Sequence, residues 1–139
     1  MSIRSSGLLV AAVAAVAVPA ASAAGTQTIT ISHETKGCHM WQLNNRDPKV
    51  NLSVSLKRGT TLRFVNNDVM PQRLIQQSGP KLALAHANMN RMASSMSVRF
   101  GRAGTYRFTT KAGEDYPWMK AMGKTIGPDN VLRLTVRVQ

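Results

Sequence analysis

The chain has 139 residues, one cysteine, eighteen Lys and Arg against six Asp and Glu, and a formal net charge of +12. A lone cysteine excludes an intramolecular disulfide. Once an N-terminal leader is set aside, about 115 residues remain, enough for one domain with a hydrophobic core and no need of a second.

Residues 1–24 read as an export signal. Arg4 supplies the positive start, Leu8 to Val18 is an uncharged apolar run, and Pro19 breaks it. Ala21-Ser22-Ala23 then has the small-x-small pattern that a signal peptidase reads, so cleavage is expected near Ala23 or Ala24, leaving a single domain over 25–139. The apolar run is short for a membrane span and no comparable run comes after it, so the expectation is a periplasmic or extracellular protein with no transmembrane segment after processing. An exported domain meets little nucleic acid. Its basic field therefore suits an anionic envelope surface or an acidic protein partner, such as a redox or copper-trafficking protein, unless the charge is simply a solvated surface.

Period-two alternation runs through the rest of the chain. Ile29 and Ile31 open it, and Val50, Leu52, Val54 and Leu56 alternate with Asn51, Ser53 and Ser55. Leu62 and Phe64, Leu74 near Met70, Val98 and Phe100, and Tyr106 and Phe108 continue the pattern, and Leu132, Leu134, Val136 and Val138 close it. Alternation of this kind marks strands buried on one face. Glycines at 59, 79, 101, 104 and 113 punctuate them. Short strands at such spacing predict an all-β fold, an antiparallel sandwich or barrel. Arg63, Arg107, Arg133 and Arg137 fall in the outward phase.

One segment breaks the rhythm. From Leu82 to Met96, His86, Met89, Met92 and Met96 recur at spacings of three, three and four, the spacing of one helix face. The segment reads as a short helical or irregular insertion. Its methionines are either flexible packers over the sandwich or a thioether arm that captures Cu(I).

The densest cluster of metal-seeking chemistry is Gly37-Cys38-His39-Met40-Trp41. Thiolate, imidazole and thioether together suit a soft metal such as copper. Neighbours in a regular strand point to opposite faces, so Cys38 and His39 share one metal only where the backbone is irregular. Gly37 permits such a bend. The competing readings of Cys38 are a small buried hydrophobe and a thiol paired between chains. His33 and His86 are further imidazoles that a site could recruit, or ordinary surface histidines. Trp41 reads as core or pocket wall and Trp118 as the border of a C-terminal loop.

Phe64-Val65-Asn66-Asn67-Asp68-Val69-Met70-Pro71-Gln72-Arg73-Leu74 resembles the strand and Asn-rich turn of cupredoxins. Gly104-Thr105-Tyr106-Arg107-Phe108-Thr109-Thr110, with the adjoining Lys111-Ala112-Gly113-Glu114-Asp115-Tyr116, is similar to the penultimate strand and ligand loop of that family. The likeness covers the chain from about Thr28 to Val138 by strand order. It implies a Greek-key β-sandwich and a copper cofactor cycling between Cu(I) and Cu(II). The departures are specific. Gln72 stands where the resemblance leads one to expect histidine, and Thr109 and Thr110 stand where a blue-copper protein places its cysteine. The candidate ligands are then Cys38, His39, His86, Met70, Met119 and Met122, with Gln72, Glu114 and Asp115 as axial or supporting groups; Gln is a known axial oxygen donor in blue-copper geometry.

Three functions are compatible with these residues. The first is an exported copper protein of electron transfer or copper handling, and the second a periplasmic Cu(I) chaperone or resistance factor. The third is a metal-free basic module for an envelope partner that has lost its copper site. Catalysis is not expected. Glu114 and Asp115 are adjacent rather than set across a cleft, no serine sits in a nucleophile elbow, and no Gly-rich phosphate cradle is present in the sequence.

Overall fold

The computed structural model describes residues 24–34, 37–85, 87–112 and 131–139, with backbone alone at Glu34, Gly37 and Cys38. The leader, His86, Glu114, Asp115, Trp118, Met119 and Met122 lie outside the described residues.

Among the described residues nine strands carry the fold: β1 Thr26–Glu34, β2 Gly37–Leu43, β3 Asn51–Leu56, β4 Thr61–Asn67, β5 Gln72–Ser78, β6 Asn88–Met89, β7 Ser95–Arg99, β8 Gly104–Ala112 and β9 Arg133–Val138. They form two sheets, β2-β1-β4-β7 and β3-β9-β8-β5-β6, packed as a sandwich. The all-β expectation holds. Both sheets are mixed rather than purely antiparallel, because β1 runs parallel to β4 and β3 parallel to β9. Period-two alternation fixes which side of a strand is buried and says nothing of its partner's direction.

The alternation seen in the sequence becomes the core. Leu52, Val54 and Leu56 of β3 face inward beside Leu134, Val136 and Val138 of β9, in matched register. Leu62 and Phe64 of β4, Val98 of β7, and Tyr106 and Phe108 of β8 fill the same layer. Aromatic contacts run within the four-stranded sheet and across to the other. Trp41 meets Phe64 at 6.4 Å, Phe64 meets Phe108 at 6.2 Å, and Phe100 meets Tyr106 at 4.9 Å between ring centroids. Such pairs add about 0.5–1.5 kcal/mol each beyond the area they bury. The Tyr106 hydroxyl donates to the Arg102 carbonyl at 2.6 Å, pinning the turn that enters β8.

Two irregularities interrupt the ladders. Ser32 pairs with Met40 and Glu34 with Gly37, so the single residue His33 of β1 faces the two residues Cys38 and His39 of β2. That is a β-bulge, a device that re-aims side chains and tightens the local twist. The second is in β5, whose register against β8 shifts between Gln76 and Ser78; just beyond it Gly79 has a φ of +105°, and an added Cβ would meet the Thr105 carbonyl oxygen at 2.6 Å. Only glycine fits between β5 and β8 at that point.

The segment expected to be helical or irregular is irregular. Met89 belongs to β6 and Met96 to β7, both buried in the core, while Met92 is 54% exposed on the connection between them. The three-three-four spacing therefore joins residues of different elements. Met89 and Met96 serve as packing, and a thioether arm along one helix face does not form among the described residues.

Candidate metal centre

At one pole of the sandwich the inward phase of four strands changes from apolar to polar. In β1 the series Ile29, Ile31 is continued by His33; in β2, Trp41 is preceded by His39; in β4, Leu62 and Phe64 are followed by Asn66 and then Asp68; in β5, Leu74 is preceded by Gln72. His39 is 2% exposed, and Asn66, Asp68 and Gln72 are fully buried. His33, at the rim, leaves 43% of its side chain in solvent.

Local sequence explains how Asp68 is aimed. The Asn66 side chain accepts from the Asp68 amide at 2.9 Å and donates to the carbonyls of Met70 and Met89, each at 2.8 Å. Asp68 Oδ1 in turn accepts from the Met70 amide at 3.1 Å. Two successive side-chain-to-backbone turns of the kind that Asn and Asp favour thus fold the chain between β4 and Pro71. They hold the carboxylate toward β2.

There it meets His39. Asp68 Oδ2 lies 2.5 Å from His39 Nδ1, a short charge-assisted contact. His33 Nδ1 lies 3.6 Å from Asp68 Oδ1, and the two imidazoles stand edge to face at 6.5 Å. Gln72 Nε2 is 3.2 Å from both Asp68 Oδ2 and His39 Nδ1. A protonated Nδ1 spends its hydrogen on Asp68, so the Gln72 amide can donate only to the carboxylate. Turning the amide over would set its oxygen against that same carboxylate. In the favoured orientation Gln72 Oε1 is buried without a hydrogen-bond partner. An orphaned acceptor of this kind costs about 1–3 kcal/mol.

Burial would push the Asp68 carboxyl up. The His39 hydrogen bond, the Met70 amide and the nearby imidazoles outweigh it, and the group sits below the ordinary carboxylate value. A depressed carboxyl stabilises the fold above its unfolded-state value, and that contribution disappears as pH falls through the lower folded value. Acid unfolding of the metal-free protein, followed by circular dichroism, is expected to steepen in that window. In Asp68→Asn the steepening should be absent, and an unaltered acid limb would remove Asp68 as its source.

The donor atoms of His33, His39 and Asp68 all lie within 4.8 Å of one another. These groups gather on the Nδ1 side of His39, so a cation held by all three would take the place of the hydrogen that Nδ1 shares with Asp68. Two imidazoles, a carboxylate and an amide oxygen make a nitrogen and oxygen donor set. Such a set fits Cu(II), and other imidazole-binding divalent ions, better than Cu(I).

Among the residues singled out in the sequence, His39 and Gln72 come together at this pole, and the backbone of Cys38 reaches it through the bulge beside His39. Met70 contributes its amide and carbonyl to the turn. Asp68 and Asn66 are not among the site residues expected from sequence, although both lie inside the Asn-rich motif. Their signal is phase: Asn66 continues the buried series of Leu62 and Phe64. β8 runs on past Thr109 and Thr110 to Ala112, which pairs with Gln72, so the strand position facing the pole carries a methyl group.

No protein-family model matches the sequence, and no curated protein matches it significantly. Solved structures do. A variant of the multicopper oxidase McoA from Aquifex aeolicus aligns over 82% of this chain at 14% identity and a TM-score of 0.50. This chain spans about a quarter of that oxidase, 26% of its length. A purple cupredoxin from Nitrosopumilus maritimus aligns over 78% of this chain and 97% of its own, at 18% identity and a TM-score of 0.44. Amicyanin from Paracoccus versutus aligns over 88% of this chain and 86% of its own, at 18% identity and a TM-score of 0.43. At such identities the likeness is one of architecture, and the oxidase alignment over 82% of this chain, together with the two-sheet topology, supports a cupredoxin-like β-sandwich fold.

Proposed function

We propose that this protein is an exported copper-handling protein that holds Cu(II) at the polar end of its sandwich through His39, His33 and Asp68, with Gln72 Oε1 as a supporting oxygen. The observation that carries this reading is the convergence of two imidazoles and a carboxylate beside an orphaned, fully buried amide oxygen. A cation there would reverse the preference of the Gln72 amide, whose nitrogen faces Asp68 and His39 in the metal-free protein, and turning the amide over would give Oε1 a partner. Bound copper would supply a Lewis-acidic, redox-capable centre. The chain's own residues do the rest: Asp68 aims the His39 ring in the metal-free protein, Asn66 fixes Asp68, and the aromatic core below closes one side.

The donor set favours handling over electron transfer. Carboxylate and amide oxygens prefer Cu(II), whereas rapid cycling needs soft ligands that serve both oxidation states. Electron transfer is the second reading, and the bulge that sets the backbone of Cys38 and His39 opposite His33 favours it by bringing the position of the sequence's one cysteine next to the pole. Export rests on the Arg4 to Ala23 signal pattern; no helix of the described residues is long and apolar enough to cross a membrane.

Cu(II) titration followed by spin resonance and absorption separates these cases. One equivalent bound with a tetragonal nitrogen and oxygen spectrum, unchanged in Cys38→Ser, is the expected result. A strong thiolate charge-transfer band lost in Cys38→Ser would shift the assignment to an electron-transfer site. Absence of stoichiometric binding would leave the basic envelope module as the function.

A further inference from the structure

The outer face of the five-stranded sheet carries Arg73 on β5, Arg107 and Lys111 on β8, and Arg133 and Arg137 on β9, interleaved with Ser53, Ser55, Thr105, Thr109 and Thr135. Their inward neighbours Leu74, Tyr106, Phe108, Leu134 and Val136 are core, so alternation places all five cations on one side. The described acidic residues lie off these three strands: Asp68 is buried at the pole, Glu34 ends β1 in the other sheet, and Asp47, in the β2–β3 connection, lines a separate depression with Ser53 at the β3 border of the face. Among the described residues, the four arginines make no ion pair with any carboxylate.

Register sets the spacing. Arg107 pairs with Thr135, which puts it diagonal to both Arg133 and Arg137, about 7–8 Å from each at Cα. Arg133 and Arg137 are four residues apart on one strand, about 13 Å. Arg73 sits directly opposite Lys111 across the β5–β8 ladder. The cations are thus spread in two dimensions over three strands rather than along a groove.

At the β5 edge the face runs into a shallow depression of about 370 Å³ that Arg73 and Lys81 flank and that Ile75, Leu82 and Leu84 line. Ile75 is among the few exposed large hydrophobic residues. A fully hydrophilic polyanion has no use for an apolar recess. An anionic phospholipid has: its phosphate suits the guanidiniums, and its glyceryl and acyl carbons suit Ile75, Leu82 and Leu84.

We infer that the outer face of the β3-β9-β8-β5-β6 sheet docks on an anionic phospholipid surface, with the Arg73–Lys81 depression receiving one lipid. The surface is independent of the metal pole. A basic residue at an anionic surface contributes about fivefold in partition, so four or five give a reversible, salt-sensitive association rather than an anchor.

The test uses the chain from Ala24 onward, which contains every described strand, and vesicles of phosphatidylglycerol in phosphatidylcholine against phosphatidylcholine alone, at low and high salt. Co-sedimentation with the anionic vesicles is expected, weakened by salt. Arg107→Gln with Arg137→Gln should lower the partition about thirtyfold, while Arg63→Gln with Arg99→Gln, on the opposite sheet, should lower it far less. Leu84→Ser should weaken vesicle binding and leave any binding of soluble polyphosphate unchanged. Equal losses for the two arginine pairs would reduce the effect to net charge and overturn the assignment. So would polyphosphate binding as tight as vesicle binding and indifferent to Leu84→Ser, which would make a soluble polyanion the partner. Melting curves of each variant check that the fold stays in place; Leu84 is half-buried against the core, so Ile75→Ser, at an exposed position of the same depression, is run beside it and should show the same weakening.

Discussion

Asn66→Ala is expected to destabilise the domain by about 3–5 kcal/mol, the largest effect of any single polar substitution at the pole. The side chain makes three hydrogen bonds, two buried and one part-buried, and its loss takes a partner from two carbonyls and one amide. Each orphaned group costs about 1–3 kcal/mol, with some relief where water enters. The bonds also join the β4–β5 turn to β6, so the damage reaches the 79–94 connection. Asn66→Asp separates packing from hydrogen bonding. It keeps the shape and the acceptor but points a carboxylate oxygen at the Met70 and Met89 carbonyls, and it should be at least as harmful as alanine. Urea unfolding checks both. A loss below about 1 kcal/mol for alanine would mean that the turn is held by its backbone alone.

His39→Ala is expected to lower Cu(II) affinity by more than about a hundredfold, since it removes a ligand rather than a supporting group, whose loss typically costs 10–100-fold. The metal-free protein should also lose about 2–4 kcal/mol, because the buried Asp68 carboxylate forfeits its charge-assisted hydrogen bond and a cavity opens beside Trp41. His33→Ala is the contrast. Its ring is at the rim and 3.6 Å from Asp68, so copper affinity should fall while stability changes by less than about 1 kcal/mol. Copper competition and thermal unfolding, run on both variants, read the two quantities separately. If both variants lost stability without losing affinity, the cluster would be a folding device and the metal would bind elsewhere.

Much of the fold is legible because burial on one face of a strand leaves a period-two trace. Leu52, Val54 and Leu56, and Leu134, Val136 and Val138, announce two strands without any knowledge of their neighbours. That these two strands lie side by side in parallel is not legible, since pairing direction depends on how the connections cross between sheets. The stretch from Leu82 to Met96 misleads for the opposite reason. A spacing near the helical period arises from residues in β6, a connecting loop and β7, each placed by a different tertiary contact. At the pole, Cys38-His39 and the Asn-rich turn stand out through their chemistry. Asp68 does not, because an Asp after two Asn residues reads as ordinary turn composition. Its role depends on the bulge that turns His39 toward it, and a bulge is a property of two paired strands that neither strand's sequence states alone.

The placement of β9 also bears on when the protein can fold. Among the described strands β3 has β9 as its only neighbour in the sheet, and β9 separates β3 from β8. Leu56 and Arg58 are bonded through their backbones to Gln139. The last described strand is thus the keystone of the first half of the chain, and nothing synthesised before Arg133 can give β3 its ladder. Contacts this distant in sequence form slowly. For a polypeptide expected to thread through a translocon before it folds, that delay keeps the emerging chain open until its C-terminal end has followed.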